Sequence, residues 1–343
     1  MKTIKLITTA VLLFFILTGL LAQDSDPFRI VFYNVENYFD PVDDSLTRDE
    51  EFTPEGTRHW SWYKYNKKAA DIYKAIAAFS QWKKPDIIGL CEVENRYALE
   101  NLLKRTPFGD SDYRIVHQES EDFRGIDVGL LYNPESVWPI AENYIKVRFE
   151  GSPNKRTRDI LHFKALLKNK DTIHIFVNHW PSKYGGAVAT IPLRATAARA
   201  LRHVTDSVLA VNPNANIIIT GDFNDTPEDE SLREHLGALP LSEAGEQELV
   251  NLTGSVSGVD YSGTHKYQGQ WSFIDQFIVS PAMLRPENRV YTNVEKFDVG
   301  NIDMLMEPDE KYTGQRPYRT FIGFKYHGGF SDHLPILLDL ELR

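Results

Sequence analysis

Apolar positions along the chain fall into two kinds of run. Short runs rich in β-branched and aromatic residues, bounded by Asn, Asp, Gly or Pro, read as strands. They cover residues 28–33, 85–95, 113–117, 127–132, 137–149, 160–167, 172–179, 217–220, 271–279 and 336–342. Other segments repeat their apolar positions at helical spacing. Tyr65, Ala69, Ile72, Ile76 and Phe79 predict a core-facing helix over 63–82, Leu99, Leu102 and Leu103 a shorter one, and the Ala-, Leu- and Arg-rich stretch from about 193 to 211 a third. No repeat, low-complexity tract or Gly/Ser linker divides the chain after the N-terminal segment, and strands outnumber helices in mixed order. The pattern predicts one large α/β domain over residues 23–343.

The strands share a habit of ending in polar side chains, and a rigid strand end can aim such groups into a cleft. The clearest case is Ile217-Ile218-Ile219-Thr220, followed by Gly221, Asp222, Phe223, Asn224 and Asp225. Asn34 closes the first strand, where a turn-forming role is the simpler reading. At 85–95, alternation puts Glu92 and Glu94 on one face, and Glu92 leaving the strand at a cleft would suit a hard divalent cation; Glu94 reads as the start of the next helix. His179 ends its strand and is the better site candidate than His174, which reads as a core or edge histidine. Asp275 lies within an apolar strand, where a buried acid needs a His, a metal or a backbone donor as partner. Ser331-Asp332-His333 precedes the closing strand.

Charge and composition narrow the chemistry. With 38 Lys and Arg against 48 Asp and Glu, the formal net charge of -10 repels polyanions, so an anionic substrate must be met by local basic groups or metal cations. Lys155, Arg156 and Arg158 form a compact basic group, read as a phosphate contact or as a surface loop making ordinary ion pairs. Lys2 and Lys5 precede an apolar stretch at 7–21 that ends at Ala22, which predicts a cleaved secretory signal peptide over 1–22 and an exported protein. Cys91 is the only cysteine, so no intramolecular disulfide is expected. Gly-rich phosphate loops, Cys/His zinc spacings and a Ser nucleophile elbow are absent.

Taken in order, Asn34, Glu92, His179, Asp222, Asn224, Asp275, Asp332 and His333 resemble the site residues of the endonuclease/exonuclease/phosphatase superfamily, which includes DNase I-like nucleases, inositol polyphosphate phosphatases and sphingomyelinases. The resemblance spans nearly all of the mature chain. It implies a two-sheet β-sandwich flanked by helices, with the site in a groove at one end of the sheets. It implies that Asn34 and Glu92 hold a divalent cation, Mg²⁺ or else Mn²⁺ or Ca²⁺, with Asp332 adding a ligand. Asp222 and Asn224 would orient the attacking water and the phosphate. His333 would contact the scissile phosphate with its orientation fixed by Asp275, and His179 would be a second phosphate contact or acid, partnered by Asp127 or Glu36. Asp225 is left as a turn or cap residue. Cys91 stands where many members carry Gln, and the segments 40–62 and 282–320 read as insertions without a general counterpart.

A hydrolase of this kind needs no covalent intermediate. A nucleic-acid substrate would want a basic rim, for which Lys155, Arg156, Arg158, Lys183, Arg316 and Arg319 are candidates, with Trp60, Trp180 and Tyr184 available for contact. A phosphorylated small molecule or lipid headgroup would need fewer contacts and suits the acidic balance, but a local basic patch can suffice for nucleic acid. A secreted or periplasmic nuclease acting on DNA or RNA is the expected activity, with the smaller phosphoester as the alternative. A metal-stabilised binding protein without turnover is the alternative of another class, against which stands the presence of the whole residue set. The expected state is a monomer without a stable protein partner.

Overall fold

The computed structural model describes residues 27–152, 154–256 and 263–343; the expected signal peptide lies outside the described residues. In the first half of the chain the elements are β1 (Phe28–Tyr38), α1 (Trp62–Phe79), β2 (Ile87–Val93), α2 (Arg96–Arg105), β3 (Arg114–Val116), β4 (Asp127–Tyr132), β5 (Val137–Ile145), β6 (Ile160–Leu167) and β7 (Thr172–His179). Next come α3 (Ala187–Val211), β8 (Asn216–Asp222), β9 (Ala238–Pro240), β10 (Leu249–Asn251), α4 (Leu252–Val256), β11 (His265–Tyr267), β12 (Gln270–Ser272) and β13 (Asp275–Val279). The chain closes through β14 (Val290–Tyr291), β15 (Phe297–Val299), β16 (Met306–Pro308), β17 (Gln315–Pro317), β18 (Phe321–Ile322), β19 (Lys325–Tyr326) and β20 (Ile336–Leu342).

Two seven-stranded sheets face each other. One runs β14-β20-β1-β2-β4-β3 with β15 also on the edge of β20, and the other runs β5-β6-β7-β8-β13-β10-β9. The expected α/β sandwich with flanking helices is therefore observed. Strand β8 illustrates why its apolar run is continuous rather than alternating. Ile218 points into the core between the sheets, while Ile217 and Ile219 point outward and pack with Ala197, Ala198 and Leu201 of α3. Both faces are covered, so both must be apolar. Gly89 on β2 brings the sheets close: a Cβ there would stand 3.4 Å from Val177 on β7.

Pairing in each sheet sets the strand ends that matter. β1 runs parallel to β2 with Asn34 opposite Cys91, and β7 runs parallel to β8 with His179 opposite Asp222. Antiparallel β13 places Asp275 opposite Asp222. The C-terminal ends of β1, β2, β7 and β8 thus meet the N-terminal ends of β13 and β20 at one end of the sandwich.

Several expectations change at the level of elements. α3 begins at Ala187, with Pro192 inside its first turns, six residues before the expected start near 193. The predicted strand over 271–279 is two elements: β12 ends at Ser272 and Asp275 opens β13, so the acid sits at a strand end and not within a strand. The segment 282–320 is no structureless insertion, since β14 and β15 both pair with β20. In the segment 40–62, Trp60 is fully buried, its Nε1 donating to Phe39 O at 2.8 Å, and Arg58 stacks over Phe52 and Phe321. That aromatic cluster is continuous with the main core, and Trp60 is not available to a substrate.

Candidate active site

The site is assembled by backbone irregularities at the strand ends. Alternation does not hold at the end of β2: its register with β4 shifts between Cys91 and Val93, and Glu92 has φ of 60°. The bulge turns Glu92 away from the plane of the sheet, and Glu94 goes elsewhere, accepting from Asp40 N at 2.6 Å. A left-handed Glu is costly and persists only when its surroundings hold it. Here the Glu92 carboxylate accepts from Asn37 N at 2.9 Å. Asn37 itself lies in a bulge of β1, where the register with β2 shifts between Asn34 and Tyr38. At the end of β8, Gly221 has φ of 152°, and a Cβ there would come within 2.3 Å of Asn178 O. Only glycine lets β7 and β8 approach this closely while Asp222 faces the groove.

The resulting cluster is compact. Asn34 Nδ2 donates to Asp222 Oδ2 at 3.0 Å and to Glu92 Oε1 at 3.3 Å, and stands 3.4 Å from His333 Nε2. His179 Nε2 lies 3.7 Å from Asp222 Oδ2 and 3.9 Å from Glu92 Oε1. His333 Nδ1 meets Asp275 Oδ2 at 2.7 Å, which directs Nε2 toward Asp222 and Asn34. Asp332 Oδ1 is 4.0 Å from His333 Nε2, and its Oδ2 accepts from Arg319 Nη2 at 2.7 Å. Asn224 donates its backbone N–H to Asp222 Oδ1 at 2.8 Å and its Nδ2 to Trp180 O at 3.1 Å, so it braces Asp222 and the end of β7. Asn34, Glu92, His179, Asp222, Asn224, Asp275, Asp332 and His333 are all brought together.

Burial and mutual charge tune these groups. Burial, opposed by His333 and reinforced by Asp275, pushes the Asp222 carboxyl up to about 7. Burial alone would lower His333, but the charge and hydrogen bond of Asp275, then Asp222 and Asp332, raise it well above the ordinary histidine value. His179 moves the other way: burial, then Arg158, Arg124 and His333, hold it well below that value. Asp332 is held down at about 2, because Arg319 and His333 outweigh the cost of its burial.

Some expected partners are not where the sequence put them. Asp127 faces His117 at 3.3 Å, and Glu36 accepts from Thr320 N and Phe321 N; neither partners His179, whose buried Nδ1 has no hydrogen-bond partner among the described residues. Arg158 is not a free phosphate contact. It is buried, paired to Asp122 at 3.0 Å, and donates to the carbonyls of His179 and Trp180, so it shapes the end of β7. Arg156 is ion-paired to Glu121. Trp180 is buried and donates to Asn178 Oδ1, leaving Tyr184 as the exposed aromatic of the three expected. Asp225 is more than a turn residue: it is buried, pairs with Arg194 at 2.7 Å and Lys183 at 3.3 Å, and anchors α3. His174 sits beside His162 at 3.0 Å in the second sheet, a core pair as expected.

Sequence reasoning missed Arg124 and Ser331. Arg124, beside Asp122, is one of the cations that depress His179; nothing in its local sequence marks it. Ser331 Oγ donates to Asn34 O at 2.7 Å and accepts from His333 N at 3.1 Å, tying β1 to the final motif. Its place immediately before Asp332-His333 was the available signal.

A divalent cation fits these donors. Glu92, Asp222, Asp275 and Asp332 crowd carboxylate oxygen into one groove, and Asp275 Oδ1 is buried without a hydrogen-bond partner among the described residues. Oxygen-only donors of this kind suit a hard cation, whose charge would relieve the burial that raises Asp222. Glu92 is the leading ligand, since its Oε1 makes only long contacts, 3.3 Å to Asn34 Nδ2 and 3.9 Å to His179 Nε2. Asn34 meets the cluster through Nδ2 while its Oδ1 accepts from Glu36 N at 3.0 Å, so as a ligand it would present the opposite end of its amide.

A two-sheet sandwich with a His–Asp pair, an acid cluster and a second histidine at converging strand ends defines a phosphoester-cleaving class of enzyme. The sequence matches the Endonuclease/Exonuclease/phosphatase family over residues 29–342, and the chain belongs to that family of phosphoric ester hydrolases. No curated protein matches the sequence. Among solved structures it is similar to D. rerio TDP2 complexed with a single-strand DNA product, at 15% identity and TM-score 0.56 over 92% of this chain and 100% of that one. The human Nocturnin catalytic domain with bound sulfate gives 15% identity and TM-score 0.54 over 92% of this chain and 95% of that one. An endonuclease/exonuclease/phosphatase family protein from Bacteroides thetaiotaomicron gives 15% identity and TM-score 0.53 over 92% and 98%. At these identities the likeness is one of fold.

Proposed function

We propose that the protein is an exported, divalent-metal-dependent phosphodiesterase that cleaves nucleic acid with an activated water. The observation that carries this reading is the His333–Asp275 pair at 2.7 Å with Nε2 directed at Asp222. Protonated His333 donates from Nε2 to a phosphate oxygen, and Asp275 holds its ring and its proton. Asp222, braced by Asn224 and held by Asn34, accepts the proton of the attacking water. Neutral His179 offers a second hydrogen bond to the phosphate from Nε2. A cation such as Mg²⁺, held by Glu92 with Asp332 or Asn34, would neutralise charge on the phosphoryl oxygens. The test is incubation of the mature protein with Mg²⁺ or Mn²⁺ and plasmid DNA, RNA, sphingomyelin, inositol phosphates and a nitrophenyl phosphodiester. Cleavage of none of them overturns the reading.

One observation favours a second reading, a smaller phosphoester. Five of the six residues of the expected basic rim, all but Lys155, are ion-paired: Arg156 with Glu121, Arg158 with Asp122, Lys183 with Asp225, Arg316 with Glu307 and Arg319 with Asp332. A groove that tracks many phosphates would need cations to spare, and its binding would fall steeply with salt. Preferential cleavage of the small diesters, with little salt dependence, would establish this second reading over the first.

A further inference from the structure

A second cluster of ligand-type side chains lies on the loop between β3 and β4, outside the catalytic group. His117 directly follows β3, Asp127 opens β4, and Glu119 lies between them. One ring nitrogen of His117 and one carboxylate oxygen each of Glu119 and Asp127 lie within 4.8 Å of one another. The His117 side chain is only 1% exposed, and its Nε2 is buried without a hydrogen-bond partner although Asp127 Oδ2 stands 3.3 Å away. Among the described residues Nε2 thus faces a carboxylate at ion-pair distance without the alignment of a hydrogen bond. Two ligands bound about 2.0–2.1 Å from a tetrahedral Zn²⁺ stand about 3.3–3.4 Å apart, so the observed gap is the spacing of two ligands around a shared ion.

The carboxyls of Glu119 and Asp127 also share a hydrogen bond, which an ion between them would replace. Asp127 Oδ1 accepts from Ser120 N at 2.9 Å, which orients the carboxylate and leaves Oδ2 for the cluster. Glu119 Oε1 is 3.9 Å from Nδ1, the other ring nitrogen of His117, and makes a long 3.4 Å contact with Arg96 N, and its side chain is 62% exposed. One imidazole and two carboxylates with an open solvent side suit a borderline cation such as Zn²⁺ better than Mg²⁺.

We propose that His117, Glu119 and Asp127 form a zinc-type site separate from the catalytic one, which pins the two ends of the loop between β3 and β4. That loop carries Asp122, which pairs with Arg158, and Arg124, which pairs with Asp122 and bears on the charge state of His179. An ion there would hold the loop against the catalytic groove.

The test uses the intact mature protein and Zn²⁺ alone, with bound metal measured after equilibrium dialysis. Wild type is expected to bind one equivalent more than His117→Ala, and Glu92→Gln to keep that equivalent. Replacement by Co²⁺ should give tetrahedral absorption bands in wild type and Glu92→Gln that His117→Ala lacks. Because His117 is buried, the surface variant Glu119→Gln guards against misfolding. Its Zn²⁺ affinity should fall by at least the roughly tenfold that even outer-shell partners are worth. Equal binding by wild type, His117→Ala and Glu119→Gln overturns the proposal, as does loss of the same equivalent in Glu92→Gln, which would assign it to the catalytic groove. Because binding is read without turnover, the result stands apart from whether any phosphoester is cleaved.

Discussion

Replacing Asp275 by Asn removes one charge from the centre of the site while preserving its shape. In the native protein Asp275 is fully buried and its Oδ2 lies 2.7 Å from His333 Nδ1. Its charge and hydrogen bond are the leading influences that raise His333 against the pull of burial. With Asn there, burial remains and the leading compensation is gone, leaving only the weaker pull of Asp222 and Asp332, so the His333 titration moves to lower pH and the positive Nε2–H that meets phosphate is less populated. A hydrogen bond to a charged group contributes about 1.5–3 kcal/mol, and about 1.4 kcal/mol is tenfold in rate, so kcat should fall about 10- to 150-fold at pH 8. The assay is a pH–rate profile on a small phosphodiester, alongside NMR titration of the His333 ring. The titration should move to lower pH in the variant. In a His333→Ala background the same change should add little, because the two residues act as a unit. Activity within twofold of wild type with an unmoved His333 titration would refute the reasoning.

Three further outcomes follow from the geometry. Glu92→Gln keeps the side-chain volume but removes the leading ligand charge, so the Mg²⁺ concentration for half-maximal activity should rise at least about tenfold; an unchanged requirement would remove Glu92 from the metal site. Asp222 and Glu36 are both raised to about 7, so the folded protein holds protons the unfolded chain has already released; metal-free stability should therefore fall as pH rises from 6.5 to 8, and Mg²⁺ at a hundredfold excess over its Kd should restore about 2.7 kcal/mol at pH 8 and less at pH 5. A thermal melt that is flat over this window without metal contradicts the assignment. His162 and His174 are both lowered to about 4 by burial, so their share of stability is intact above pH 6.5 and lost as pH falls toward 4; His162→Phe, stacked on Phe176 as His162 is, should flatten that acid limb in a denaturation series, and an unchanged limb counts against it.

Much of the site was legible because each residue sits where an apolar run stops. Asp222, Asn224 and Gly221 could be marked from the end of β8, and Asp332 and His333 from the start of β20, since a change from β-branched to polar residues is a local signal. Glu92 was legible as a ligand candidate but not in its geometry: alternation predicts a face shared with Glu94, and the bulge between Cys91 and Val93 breaks that rule. The partners were the least legible. Asp127 and Glu36 had the right chemistry for His179, yet Asp127 is turned to His117 and Glu36 to the backbone of Thr320 and Phe321.

The linear order of side chains by itself determined the strands, the two-face burial of β8, the acidic balance and the stock of oxygen and imidazole groups at strand ends, because propensity, periodicity and charge are properties of neighbours in the chain. Only the tertiary structure decided which of those groups meet. The Asp275–His333 pair joins residues 58 apart and the Asn34–Asp222 contact residues 188 apart. Whether Arg158 serves phosphate or Asp122, and whether Trp60 is rim or core, depends in the same way on burial and on opposite charges brought near through the packing of two sheets. No local pattern encodes that proximity.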